Sequence, residues 1–285
     1  MTLDLWTFDV GVQAATAEAY AEECVRRVEE SWGSGADMVL FPEFCWVGLE
    51  KFSRRAGGLR AVSDLFWKAM WPAMQARLSR EDKAAVLGTA PFWDADGNRL
   101  LNRAPILCEG RALFQDKLHL TPWENAFAPG DTLWLWKFRE VNAAVIICLD
   151  IEVPELSAKL RASDVDLILV PSATETILGV ERVDRCASAR AVELGCCVGV
   201  AHLVGRAESD LIDDNVGRTA FYAPSQSAFG SRTRMNEGPV AGSGFQRMRC
   251  VVDAAALAQS RSLTAETNPA LLTRAGGARI CTVEA

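Results

Sequence analysis

Three polar side chains stand where apolar runs of this sequence end, and their types together suffice to cleave a C–N bond. Cys148 closes the run Ala143–Ile147, which is too short for a buried helix and rich in β-branched residues. Asp150, Glu152 and Pro154 follow, and a helix accepts proline only near its start, so the cysteine sits where a buried strand turns toward a helix or loop. Backbone N–H groups at such a turn favour a thiolate and can hold an oxyanion. Glu43 leaves the short strand Asp37–Phe41 among Phe41, Phe44, Trp46 and Val47, which keep open solvent away from its carboxylate. Lys117 leaves the strand Ala112–Gln115 between Phe114, Leu118, Leu120 and Trp123, placed to pair with carboxylates. A carboxylate can take the thiol proton, the thiolate can attack an amide or nitrile carbon, and the ammonium can hold the charge of the tetrahedral intermediate. The same carboxylate then protonates the leaving amine and activates the water that hydrolyses the thioester. A buried cysteine alone reads more readily as core packing, so the reading depends on the three strand exits meeting.

The elements that must bring them together alternate between strands and helices. A first strand is expected over Leu3–Asp9 and a helix over Gln13–Trp32, with an apolar stripe of Ala17, Ala21, Cys24, Val25 and Val28 and a stop at Gly33. Leu59–Arg80 reads as a helix broken by Pro72. The strands Ala85–Pro91, Ala104–Cys108 and Ala112–Gln115, joined by turns at Asp94–Asn98 and Glu109–Arg111, form an antiparallel meander. A long loop to Gly130 carries Trp123 and Glu124, and the strand Leu133–Phe138 leads to Cys148. Beyond it come a helix over Pro154–Ala162, a strand Val165–Val170 and a helix Val180–Leu194 ended by Gly195. The strands Cys196–Leu203, Arg218–Tyr222 and Met248–Val252 follow, with Asp210–Asn215 as an acidic loop. Thr174 and Glu175, at the exit of Val165–Val170, are placed to line the same cleft. Arg279–Val283 is expected to form a terminal arm.

With FPEF around Glu43, DKLHLTPWE from Asp116 to Glu124 and ICLDIEVPE from Ile147 to Glu155, the chain resembles the nitrilase, or carbon–nitrogen hydrolase, superfamily. The resemblance runs from near residue 3 to about Leu257. It implies an α/β fold, a single-domain four-layer αββα sandwich over residues 1–258 that pairs through helices into a dimer or higher homo-oligomer. A tail over 259–285 would pack on the domain or on a partner copy. It implies Glu43, Lys117 and Cys148 as the catalytic set. Glu124 would position substrate or relay protons, and the N–H of Leu149 would join Lys117 in the oxyanion hole. Trp123, Leu149, Thr174 and Glu175 are the expected substrate contacts. The segment from Pro171 to Gly205 is similar to a bacterial, amidase-like subgroup. Many members carry an aromatic residue after the cysteine and a basic residue four positions on; here these are Leu149 and Glu152. Acidic Glu152 and Glu175 favour a neutral or cationic amide over a dicarboxylate.

Composition narrows the classes further. The formal net charge of −7 and the absence of basic runs longer than a pair argue against nucleic acid and anionic membrane surfaces as partners. No apolar stretch approaches the ~18 residues of a membrane span, and the first residues lack the features of a signal peptide, so a cytoplasmic location is expected. Nine cysteines without regular spacing suit a reducing compartment. With two histidines and neither CxxC nor HExxH, no metal or cofactor is expected. Two other readings compete: a Cys–His hydrolase or acyltransferase using His119 or His202, and a non-catalytic small-molecule-binding or regulatory protein on the same fold. The lack of GxSxG argues against a serine hydrolase.

Overall fold

Strands whose every residue is buried, such as Met38–Phe41 and Ala84–Leu87, require cover on both faces, and the protein provides it with two sheets and two helical layers. The computed structural model describes residues 1–53, 57–94, 96, 98–230 and 235–261. In chain order the first half comprises β1 (Thr2–Trp6), β2 (Phe8–Asp9), α1 (Ala17–Gly33), β3 (Met38–Phe41), α2 (Glu50–Ser53), α3 (Gly58–Asp64), α4 (Trp71–Leu78), β4 (Ala84–Leu87), β5 (Ala90–Trp93), β6 (Leu100–Cys108) and β7 (Arg111–Asp116). The second comprises β8 (Leu135–Phe138), β9 (Val141–Val145), α5 (Pro154–Leu160), β10 (Leu167–Ser172), α6 (Ile177–Leu194), β11 (Cys197–Arg206), β12 (Asp214–Asn215), β13 (Thr219–Tyr222), β14 (Met235–Glu237), β15 (Arg247–Val251) and α7 (Ala254–Ser260).

The first sheet has the order β15-β1-β3-β4-β6-β5, with β7 beside β6; the second runs β14-β13-β11-β10-β9-β8. Parallel strands β1, β3 and β4 form the centre of one, and β9, β10 and β11 the centre of the other. Side-chain alternation divides each central strand between two cores. Leu3, Leu5, Met38, Leu40, Ala84 and Val86 face the second sheet, while Val39, Phe41, Ala85 and Leu87 face Tyr20, Cys24 and Val28 of α1 and Met74 and Leu78 of α4. Val183, Ala187, Ala191 and Leu194 of α6 cover the far side of the second sheet. The result is the expected single-domain αββα sandwich. Thr16 and Thr176 cap α1 and α6 by accepting from Ala19 N (3.1 Å) and Gly179 N (3.3 Å). Gly195 ends α6 in the left-handed conformation (φ 59°).

Several expected boundaries move. The single strand Ala85–Pro91 is two strands, β4 and β5, parted at Gly88 and Thr89, because Gly88 takes φ +67°. The helix Leu59–Arg80 is α3 and α4 joined by a π turn at Leu65–Met70; Pro72, without an N–H, opens α4 just after that turn. Asp214–Asn215, read as loop, pairs with Gly205 and Arg206 of β11. Helix α7 ends at Ser260, and Arg279–Val283, expected as a terminal arm, lies outside the described residues. No helix among the described residues is long and apolar enough to cross a membrane.

Candidate active site

Glu43 owes its position to the break between β4 and β5. Gly88 brings its Cα so close to the residues on either side of Glu43 that a Cβ would lie 2.3 Å from both the Pro42 carbonyl oxygen and Cys45 Sγ. Phe44 N donates to Thr89 Oγ1 (2.8 Å), and Trp46 Nε1 donates to the Leu87 carbonyl (2.6 Å). These bonds hold Phe44 at φ 56°, a conformation unfavourable for a side chain of that size, and turn the Glu43 carboxylate inward to 1 % exposure.

Lys117 follows β7 and is also 1 % exposed. Its Nζ donates to Glu43 Oε1 (2.8 Å) and to Glu124 Oε2 (2.7 Å). Glu124 is fixed by Thr121 N (2.9 Å), and Asn102 Nδ2 on β6 donates to Glu43 Oε1 (2.9 Å) and Glu124 Oε1 (3.2 Å). One ammonium and one carboxamide thus bind two buried carboxylates together.

Cys148 opens the 3-10 turn Cys148–Glu152 after β9, at φ 47°, again in the left-handed region. Its Sγ accepts from Ser172 Oγ (3.3 Å), and the thiol lies 3.6 Å from the Ala173 carbonyl. Ala173 N donates to Glu43 Oε2 (3.2 Å), which ties the two halves of the site.

Burial raises the Glu43 carboxyl to about 7 against the pull of the Lys117 ammonium, and the neighbouring Glu124 charge adds to the rise. Burial, followed by the Glu43 charge, pushes the Cys148 thiol up to about 12. Burial opposes the Lys117 ammonium, but Glu43, Cys148 and Glu124 outweigh it and hold the lysine above its ordinary value. The resting cysteine is therefore a thiol beside a carboxylate, not the thiolate that turn N–H groups alone would suggest. A thiol held in this state can act as a nucleophile only with a proton acceptor beside it.

A cavity of about 200 Å³ opens onto this cluster. Glu43, Lys117, Glu124 and Cys148 line its buried part, and Leu149, Trp123, Thr174 and Glu175 also line it, with Trp123 78 % exposed at the mouth. All eight residues singled out from the sequence meet there. Arg182 of α6, which the sequence reading did not single out, also lines the wall, and its Nε donates to Glu152 Oε2 (3.2 Å). The expected acidic rim is thus half neutralised, because α6 begins beside the Cys148 turn. Asn102 and Ser172 were also missed. A polar residue inside the apolar run of β6 was the available signal for the first; the second had none beyond its place at a strand end. His119 is not among the residues that line the cavity, and its ring Nδ1 lies 2.8 Å from Asp150 Oδ1. His202 is fully buried with Nδ1 on the Arg218 carbonyl (2.9 Å), and it too is absent from the cavity wall.

A family model described as carbon-nitrogen hydrolase matches residues 1–240. The chain belongs to the carbon-nitrogen hydrolase family. Among the proteins it resembles is the probable hydrolase YhcX of Bacillus subtilis, 26 % identical over 218 residues, which are 74 % of this chain and 42 % of that protein. An (R)-stereoselective amidase of a Pseudomonas species is 32 % identical over 136 residues, 47 % of each chain. The chain therefore spans less than half the length of these two relatives. Among solved structures, yeast Nit3 of the nitrilase superfamily aligns with TM-score 0.71 and 19 % identity over 93 % of this chain and 96 % of that one. An amidase of Nesterenkonia sp. AN1, with acrylamide added to its active-site cysteine, aligns with TM-score 0.66 and 19 % identity over 96 % of this chain and 98 % of its own. Both share the sandwich of this carbon-nitrogen hydrolase family member.

Proposed function

We propose that the protein hydrolyses a C–N bond other than a peptide bond in a small amide, through a thioester on Cys148. The observation that carries this reading is the buried contact of one thiol, one ammonium and two carboxylates at the end of a small cavity. Glu43 takes the thiol proton as Sγ attacks the carbonyl carbon, so that no free thiolate accumulates. The oxyanion that forms is held by the Lys117 ammonium and the Leu149 N–H. Glu43 then gives its proton to the departing amine, the C–N bond breaks, and the acyl group remains on sulfur. A water deprotonated by Glu43 attacks the thioester; the acid leaves and the proton returns to the thiol. Glu124, bound to both Lys117 and Asn102, keeps the ammonium from collapsing entirely onto Glu43 and orients the substrate. The relatives described as amidases add support at the level of the family.

The cavity accommodates a small acyl group, and with Glu175 at its mouth and Glu152 paired to Arg182 its rim favours neutral or cationic amides. We also propose a homodimer paired through helices, with the tail from 259 packing on the domain or on the partner copy, which size-exclusion chromatography with light scattering would test. For the activity, the test is release of ammonia or amine from a panel of simple amides by the wild type and by Cys148→Ala. Turnover by the wild type alone supports the proposal. Equal turnover by the alanine variant contradicts it.

A further inference from the structure

The two halves of the candidate site belong to different sheets. Asn102 lies on β6 of the first, and Glu43 and Lys117 follow its strands β3 and β7, whereas Cys148, Ser172 and Ala173 come from strand ends of the second. Stacked sheets can slide by fractions of an ångström on apolar contacts, which have no directionality. The ammonium and the sulfur nevertheless have to keep one spacing for the chemistry.

Ala173 N ties the second half to Glu43, and Asp150 supplies a directional link to the lysine's side. Asp150 lies two residues beyond Cys148 on the same 3-10 turn and is 2 % exposed. It is bound by the two residues that follow Lys117: its Oδ2 accepts from Leu118 N (3.0 Å) and its Oδ1 from His119 N (2.7 Å). His119 Nδ1 lies 2.8 Å from the same Oδ1 and donates in its Nδ1–H form. One buried carboxylate on the cysteine's turn thus grips three donors on the lysine's loop. Each bond to an ionised acceptor is of the stronger kind, and two of the donors are backbone groups that fix where the chain itself runs.

We propose that Asp150 is a positioning residue that sets the distance and angle of the Lys117 ammonium relative to Cys148 Sγ across the two sheets, with His119 as its outer brace. The inference rests on the thioester reading above. Asp150 touches no reacting atom, so it acts through Lys117. Replacing it leaves the acyl pocket unchanged and degrades only the charge placement that the transition state needs.

The experiment uses the full chain and an amide that the wild type turns over. Asp150→Asn keeps the shape but turns one oxygen into a donor facing donors. It is expected to lower kcat by about 10²-fold, the penalty of a roughly 1 Å misplacement, with KM nearly unchanged. Alkylation of Cys148 by iodoacetamide, measured in the wild type, Asp150→Asn, Lys117→Met and the double variant, separates positioning from mere support. Asp150→Asn slows alkylation in the Lys117 background and adds nothing once the ammonium is gone. Additive effects, or an unchanged kcat in Asp150→Asn, overturn the inference while leaving the thioester chemistry intact. Absence of any acyl-cysteine in the wild type overturns the underlying reading and this inference with it. Should either buried substitution prevent folding, His119→Ala, made at a half-exposed side chain, carries the test. A few-fold loss in kcat at constant KM supports the brace, and an unchanged kcat overturns it.

Discussion

At the scale of single residues, the proposed mechanism turns on one proton that is hard to place. Glu43 is raised to about 7 by burial and Cys148 to about 12, so at neutral pH the proton rests on sulfur and the carboxylate is partly ionised. If Glu43 is the base, as proposed, it has to be ionised, so kcat/KM should rise with pH and level off above about 7, and the profile should show no alkaline limb from Lys117, whose ammonium its carboxylate neighbours protect. Asn102 donates to both carboxylates in their ionised forms. Asn102→Leu removes those donors, so the charged form of Glu43 loses support, its pKa rises further and the acid limb moves to higher pH. The same variant should lose about 1–3 kcal/mol in urea unfolding, since buried acceptors are left unsatisfied. An acid limb that stays in place would show that Asn102 does not act on the base.

At the scale of elements, each reactive side chain is aimed by a local departure from regular structure. Phe44 and Cys148 both adopt positive φ without being glycine, and each stands at the end of a parallel strand where the chain must turn sharply. Gly88 is the partner of the first departure. Gly88→Ala would place a methyl group against the Pro42 carbonyl at a φ of +67°, so it is expected to destabilise the fold by about 1–3 kcal/mol and to cut kcat by displacing Glu43. Thermal unfolding and steady-state kinetics check the two effects separately. These details also show what the sequence could carry. The strands leading to Glu43, Lys117 and Cys148 were legible from apolar runs, β3 to its last residue Phe41, whereas β7 ends at Asp116 rather than Gln115 and β9 at Val145 rather than Ile147. The β4–β5 break was not, because Leu-Gly-Thr-Ala inside an apolar run does not announce that glycine is serving a neighbouring segment. Nor was Arg182 on the cavity wall, because helix periodicity gives a face but not what that face meets.

At the scale of the whole molecule, function depends on two sheets approaching closely enough for one half-site to meet the other. Gly199 on β11 marks that approach, since a Cβ there would lie 3.0 Å from Leu5 Cδ2 and 3.1 Å from Leu3 Cδ2. Gly199→Val should act as a wedge, lowering stability by about 1–3 kcal/mol and kcat along with it, whereas Gly199→Ala should be mild because the leucine tips can yield. The four-layer arrangement was legible from three motifs taken together and from strands buried on both faces. The register between the sheets was not, since it arises from contacts such as Asp150 with Leu118 and His119 that join distant parts of the chain. The central claim is covalent and can be observed directly. Intact protein quenched in acid during turnover of an amide, then digested and weighed by mass spectrometry, should carry the acyl mass on the peptide containing Cys148, and the adduct should vanish in Glu43→Gln. Steady turnover with the acyl group on another residue, or with Cys148 never modified, would contradict the account.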